Sequence, residues 1–235
     1  MKRILTTIPR STANSFVFLE FGELPARYII DKNQLNFLYH IYHLKDDDPV
    51  KVMWENMKLF PEEKNWWYRV QGLLSKYQLS MDHVDTMSKY SFKKLVKERV
   101  KEVAFNDLKK QCEAKQRTGN LSFSSMNPQT YLEELYPNQA KVIIQCRSKT
   151  LDIKEFRQYI YHDLICRKCG NADETIEHIV NCGYQEEIDV SVLYSDIMDF
   201  PYEQKLVFIT IATRINSFFE EIKEKKEVCN PEKSS

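Results

Sequence analysis

Apolar residues recur along most of this chain at steps of three and four, the spacing that places them on one face of a helix. The plainest run is Phe92, Leu95, Val96, Val100, Val103, Ala104, Leu108 and Cys112, which predicts a helix over 91–116 opening at Ser91. Before it, Phe16, Phe18, Leu19 and Phe21 predict a short helix capped by Ser11 or Thr12 and stopped near Gly22. Tyr28, Ile29, Leu35, Leu38, Tyr39 and Tyr42 predict a second after Pro25, broken by Asp46-Asp47-Asp48-Pro49. Val50, Val52, Met53 and Met57 predict a third that stops before Pro61, and Trp66, Trp67, Val70, Leu73, Leu74 and Tyr77 a fourth after Asn65. Past a polar loop from Gly119 to Asn127, Pro128 and Pro137 each open a helical stretch, the latter with Ala140, Val142, Ile143, Ile144 and Leu151. Glu174 to Cys182 is helical in pattern, and a strong final helix follows Pro201 with Leu206, Ile209, Ile215, Phe218, Phe219 and Ile222. The expected fold is an all-α multi-helix array. It is expected to divide into helical segments over 1–80 and 81–160, a small cysteine-rich module over 161–185, C-terminal helices over 186–228 and a flexible tail over 229–235.

Within this helical pattern, one run breaks the rhythm. Cys166, Cys169, His178 and Cys182 form C-x2-C-x8-H-x3-C, gathering three of six cysteines into seventeen residues. Three thiolates and an imidazole complete a tetrahedral set for Zn²⁺ and leave no position open for substrate, so a structural ion is expected and zinc catalysis is not. The x2 spacing lets one tight turn present two sulfurs, with Gly170 relieving the turn. His178 and Cys182, at i and i+4, share one helix face. The spacing differs from a retroviral knuckle, which has four residues between its second Cys and its His, and from a two-Cys, two-His finger, which ends in His. Cys112, Cys146 and Cys229 are expected to be ordinary thiols. His162, four residues before Cys166, reads as a surface residue because four ligands already close the site.

Charge adds a second candidate chemistry. The chain of 235 residues has zero formal net charge, so no global field draws it to nucleic acid or membrane. Locally, Lys89 to Arg117 holds ten Lys/Arg against four Asp/Glu. Lys93, Lys94, Lys97, Lys101, Lys109 and Lys110 would form a basic face that either contacts phosphates or is simply solvated; both readings stand. Between Lys168 and Lys205 there is no Lys or Arg and there are nine Asp/Glu, which would repel a phosphate backbone. Contact there would need Arg157, Arg167 and Lys168.

Other chemistries are excluded or disfavoured. Five scattered glycines make no phosphate-cradling loop. Asp46-Asp47-Asp48 reads as a solvated helix-ending turn rather than a Mg²⁺ site, because no apolar strands flank it. His40 and His43 read as packing or surface residues. Asp199 with Glu203 and Lys205 lacks the sheet a nuclease cluster requires. No apolar run is long enough to cross a bilayer, and Met1 to Pro9 has no apolar signal core. The chain is expected to be intracellular, in nucleus or cytoplasm, neither secreted nor membrane-bound.

Several blocks together resemble the C-terminal region of non-LTR (LINE-type) retrotransposon reverse transcriptases. They are Ile8-Pro-Arg-Ser-Thr12, Leu19-Glu-Phe-Gly-Glu-Leu-Pro25, residues Met87 to Lys101, Cys146-Arg-Ser-Lys-Thr-Leu-Asp-Ile153, Cys166-Arg-Lys-Cys-Gly and Glu174-Thr-Ile-Glu-His-Ile-Val-Asn-Cys182. The last is the most specific. The resemblance implies a zinc-binding segment beyond the polymerase, implicated in handling template RNA or target DNA, with 1–80 corresponding to thumb-like helices. The family's catalytic aspartate pair and endonuclease are absent from this chain, so no enzymatic activity is expected. The His-to-Cys gap is three here, where four is common, which keeps both ligands on one continuous helix. The implied role is nucleic-acid binding. The rival is a docking module for a reverse transcriptase core or another protein, with an apolar patch expected near Trp54, Trp66 and Trp67; a relic fragment without selected function is a third reading.

Overall fold

The computed structural model describes residues 8, 9, 11–59 and 65–229, with side chains described as far as residue 225 at the C-terminal end. Among these residues there are ten α-helices and no strand, so the chain is all-α. In chain order they are α1 (Asn14–Phe21), α2 (Ala26–Tyr42), α3 (Pro49–Leu59), α4 (Trp66–Lys76), α5 (Met81–Thr86), α6 (Lys89–Glu113), α7 (Tyr131–Glu134), α8 (Pro137–Arg147), α9 (Ile176–Asn181) and α10 (Tyr202–Cys229). Short 3₁₀ turns occupy Glu155–Arg157 and Ser191–Tyr194. The Pro61 stop, Arg10 and the tail beyond Cys229 lie outside the described residues.

Two compact units result, and their limits differ from the expected breaks at 80 and 160. One is Glu23–Leu108; the other joins the chain up to Gly22 with the chain from Lys109 on. The reason is a shared core. In the first unit, Tyr28, Leu35 and Leu38 of α2, Trp54 of α3, Trp67, Val70 and Leu74 of α4, Val84 of α5 and Phe92, Val96, Val100 and Ala104 of α6 form one buried apolar cluster. A break at 80 would cut through it. Polar ends of buried aromatics are met at its margin. Tyr28 and Tyr77 donate to Asp107 and Asp31, both at 2.6 Å, and Tyr39 donates to the Met87 carbonyl at 2.9 Å.

Local chemistry moved several boundaries. α6 opens two residues early because Ser88, not Ser91, is the cap: Ser88 Oγ accepts the Ser91 N–H at 3.2 Å. α5 is too short to show a helical period. Its start is held by Ser80, whose N–H donates to His83 Nδ1 at 3.0 Å. The stretch after Pro128 makes only one helical turn, α7, and α8 ends at Arg147, before Leu151.

In the second unit, α8 and α9 pack on α10. Phe208, Ile211, Ala212, Ile215 and Phe218 of α10 are buried, as are Ile143 and Ile144 of α8 and Ile176 and Ile179 of α9. The loop after Gly119 is less polar in structure than in sequence, because Leu121, Phe123 and Met126 are buried. It is tied down by Ser122 N–H to the Tyr194 carbonyl and Gln129 N–H to the Glu20 carbonyl, both at 3.0 Å. Gly22 ends α1 at φ +64°, and a Cβ there would stand 2.5 Å from Pro128 N. Glycine is therefore needed both for its backbone conformation and for the close approach.

Charge is buried in this unit. The side chains of Glu20 and Arg147 are fully buried, with Arg147 Nε 2.8 Å from Glu20 Oε1 and a hydrogen bond from the guanidinium NH2 to Oε2 at 3.2 Å. Tyr131 OH donates to the same carboxylate, and Arg147 donates to the Leu193 and Ser195 carbonyls. Burial first, then the Glu20 charge, pushes the Tyr131 hydroxyl well above its ordinary range, so Tyr131 serves as a donor.

Candidate metal centre and its cationic surroundings

The four-residue motif is brought together by a knuckle and a short helix. Ile165 and Asp173 form an isolated antiparallel bridge, and Cys166 N–H donates to the Ala172 carbonyl at 2.7 Å. Between them the chain turns through Gly170 at φ +72°, whose N–H returns to the Cys166 carbonyl at 2.9 Å. This turn holds Cys166 and Cys169. The other two candidate ligands come from α9 and its C-cap; the helix is capped at its start by Thr175 Oγ1 accepting the His178 N–H at 3.1 Å. His178 lies on α9 and Cys182 at its C-cap. One ligand atom from each of the four residues lies within 4.8 Å of all the others, so the cluster can hold a metal ion. Cys169 Sγ is 3.3 Å from His178 Nε2, which identifies the ring nitrogen facing the centre. Cys166 and Cys182 are buried, whereas Cys169 is exposed.

The sulfurs sit among backbone donors. Lys168 N–H points to Cys166 Sγ and Asn171 N–H to Cys169 Sγ, each at 3.4 Å. The Asn171 bond is the first cause of a Cys169 thiol held at about 6, with Cys166, His178 and Cys182 adding to it. Cys182 moves the other way, to about 12, through burial and then the nearby Cys166 and Cys169 charges. Protein groups alone thus favour one thiolate and oppose a second. A cation at the centre reverses that opposition, because a coordinating thiol is deprotonated by the ion's own charge.

Around the ligands stands a frame that the spacing did not disclose. Glu174 is fully buried. Its carboxylate accepts from the Arg167 backbone N–H at 2.9 Å, from the Arg167 guanidinium at 2.6 Å and from the Lys154 backbone N–H at 3.1 Å. Burial, the largest single influence, works against the Arg167 charge, and the Glu174 hydrogen bond together with the Glu174, Tyr161 and Asp152 charges outweighs it. In sequence Glu174 counts as one more acidic residue in an acidic stretch; the only hint of an inward role is its place two residues before α9. Lys168 pairs with Glu221 of α10 at 2.9 Å and donates to the Cys182 carbonyl at 3.1 Å, while Lys225 donates to the Lys168 carbonyl at 2.8 Å. Arg214 of α10 donates to the Glu186 carbonyl at 2.9 Å. The knuckle and α9 are thereby clipped to the last helix.

The cations considered as phosphate contacts therefore fall into two groups. Arg167 and Lys168 are engaged as described, and Arg157 donates to Tyr159 OH at 2.7 Å and to the Thr150 carbonyl at 3.2 Å. On α6, by contrast, Lys93, Lys94, Lys97 and Lys110 are exposed, as is Lys89. Lys101 and Lys109 are half-buried, and Lys109 donates to the Phe123 carbonyl at 3.3 Å. His162 is exposed and is not one of the four clustered side chains. His43 stacks on Tyr39 at 4.1 Å, a packing role. Asp46 pairs with Lys51 at 2.7 Å and Asp48 Oδ1 accepts the Val50 N–H at 2.8 Å, so the aspartate run is a turn that starts α3. The patch expected at the tryptophans takes a different form. Trp54 and Trp67 are buried against each other edge-on, and only Trp66 is partly exposed, against Phe37.

Comparison with protein-family models, curated proteins and solved structures finds no match to this chain. The reverse-transcriptase resemblance therefore rests on the sequence blocks alone.

Proposed function

We propose that this chain is a non-catalytic nucleic-acid-binding protein, derived from the region beyond the polymerase of a non-LTR reverse transcriptase, in which a structural Zn²⁺ staples the second unit. Zinc is the reading the donor set favours, since three thiolates with one imidazole suit a tetrahedral d¹⁰ ion. Bonds of about 2.3 Å to sulfur and about 2.0 Å to nitrogen would place ligand atoms roughly 3.5–3.8 Å apart. The widest separation, within 4.8 Å, would contract by up to about an ångström, while Cys169 Sγ and His178 Nε2, at 3.3 Å, are already close enough. No position is left for substrate, so the ion's part is structural.

The observation that supports nucleic-acid binding is the lysine face of α6. Lys89, Lys93, Lys97 and Lys101 recur at every fourth residue, about 6 Å apart along the helix axis, with Lys94 beside them and Tyr90 exposed among them. Among the described residues, no ion pair or hydrogen bond engages the side chains of Lys89, Lys93, Lys94 or Lys97. Such cations release counterions when they meet phosphate, which makes binding salt-dependent and indifferent to base sequence. RNA and DNA are both accepted on this reading. The test is affinity for a labelled strand across a salt series. Replacing Lys93 and Lys97 by Ala should weaken binding and flatten the salt slope by nearly one per lost contact; an unchanged slope would refute the role of this face.

A docking role has its own support. Ile30 and Phe37 of α2 and Met53 of α3 are exposed on the helical unit. A protein partner seated there would leave the lysine substitutions without effect and make Phe37→Ala costly.

A further inference from the structure

We propose that a groove in the second unit, lined by none of the four clustered ligands, takes one unstacked nucleotide of a single strand. Two adjoining cavities of about 300 and 360 Å³ share Gln116 and Arg117. The first also has Lys149, Phe156, Gln158 and Tyr159 on its walls, and the second adds Lys115. Each is near the lower size limit for a ligand pocket, enough for one nucleotide rather than a longer segment.

Three chemistries meet there. The first is positive charge in a protein with none overall: Lys115, Arg117 and Lys149 oppose the single carboxylate of Glu155. That carboxylate is turned to the N-terminus of α9, where it accepts the Ile176 N–H at 2.9 Å. Among the described residues, no hydrogen bond or ion pair within 4.0 Å engages the Arg117 or Lys149 side chain, although the Lys149 charge is felt by the Glu155 carboxyl. The second is an aromatic platform. Tyr159 is 68% exposed, yet its hydroxyl is held by Arg157 at 2.7 Å, and Arg157 is itself anchored on the Thr150 carbonyl. Phe156, buried beside it, gives the groove an apolar floor. The third is the pair of exposed amides, Gln116 and Gln158, each able to donate to and accept from the edge of a base.

Lys149 carries a further sign of purpose. It sits just past the end of α8 at φ +50°, where its N–H and that of Thr150 close the helix onto the Cys146 and Gln145 carbonyls. Glycine is the usual residue at that place, because a side chain there is strained. With lysine the helix still closes, and an ammonium is placed on the groove wall.

An inorganic anion would need the cations but not the aromatic face. A small apolar ligand would need the face but not the cations. A nucleotide needs both, with amides for its base edge, and only an unpaired base can leave its neighbours to stack on Tyr159. The assignment rests on the nucleic-acid reading above and adds to it the place where a single strand is gripped. Arg157 becomes a positioning residue that fixes the platform.

The experiment measures binding of the full chain to a short labelled RNA single strand, its DNA counterpart and a blunt duplex. Tyr159→Ala should weaken both single strands by about 5- to 150-fold, the worth of one base–aromatic stack. It should spare the duplex, and Tyr159→Phe, which keeps the ring but loses the hydroxyl that Arg157 holds, should restore only part of the loss. Lys149→Gly should raise the melting temperature by relieving the strained φ, yet weaken single-strand binding and lower the salt slope by about 0.7. If Tyr159→Ala and Lys149→Gly leave single-strand affinity unchanged while Lys93→Ala with Lys97→Ala reduces it, the groove is overturned and the α6 reading survives. Equal losses for duplex and single strand would also overturn it. If no strand binds even at low salt, both fail.

Discussion

Residues 23–108 keep charge at their margin and fill their interior with Tyr28, Trp54, Phe92, Val100 and their neighbours, whereas the other unit encloses it. There Glu20 meets Arg147 and Tyr131, Glu174 meets Arg167, and three cysteines meet a histidine. The difference lies in what each must order. Four long helices lay apolar faces on one another and need little else. The second unit must hold a long irregular stretch between α6 and α8, a knuckle and a six-residue helix, which offer few apolar faces and many backbone groups. Directional polar contacts do that work, and they fail abruptly when one partner is lost.

Removal of the proposed metal is the largest expected perturbation and the sharpest way to separate the units. Structural zinc in small modules binds with an apparent free energy of about 10–16 kcal/mol. Chelation, or Cys182→Ser, should strip hydrogen-exchange protection from α9 and the knuckle while amides of α2, α3 and α4 keep theirs. Equal loss in both units would mean that the helical unit depends on the ion as well.

Next in size is the buried ion pair. Arg147→Ala leaves the Glu20 charge with Tyr131 but no counter-charge, strips the Leu193 and Ser195 carbonyls of their guanidinium donor, and should cost about 3–5 kcal/mol in denaturant unfolding. Replacing the pair together, Glu20→Leu with Arg147→Met, should recover part of that loss, because neither charge is then left alone, although the Tyr131 hydroxyl and the Leu193 and Ser195 carbonyls still lose their partners. A double variant as unstable as the single would mean that the lost packing, not the orphaned charge, sets the cost.

In the helical unit a core truncation should behave more gently. Val100→Ala removes two methyl-sized groups from a fully buried position on α6, worth about 2 kcal/mol with its cavity. The loss should be graded with the volume removed; an all-or-none response like that of Arg147→Ala would erase the distinction. Smallest of all for stability are Lys93→Ala and Lys97→Ala, expected within about 0.5 kcal/mol by thermal unfolding. Their effect belongs to binding, and a large stability change would place them in the fold instead.

Much of this was legible in the chain. Phe92, Val96, Val100, Ala104, Leu108 and Cys112 are all buried, as their spacing along α6 required. The four-residue cluster was legible too, from its spacing: Cys166 and Cys169 share one tight turn, and His178 and Cys182 come together, although α9 ends at Asn181 and Cys182 stands past it in extended backbone rather than on one continuous helix. Less legible were α5, too short for a period, and the loop after Gly119, whose Leu121 and Phe123 turn inward through contacts made elsewhere. The blocks that suggested the family contain Glu20, Arg147 and Glu174, the residues that carry the buried polar contacts.

By itself the sequence determined what acts at short range: the helical periods, the all-α class and the four residues able to share an ion. Tertiary structure alone decided which charges are already spent. Arg157, Arg167 and Lys168 look as basic in sequence as Lys93 and Lys97, and Glu174 as acidic as Glu177. Their difference lies in partners that folding supplies, up to 127 positions away in the case of Glu20 and Arg147. A side chain's charge is written in its chemistry, but whether that charge faces water or a counter-charge depends on where the rest of the chain arrives.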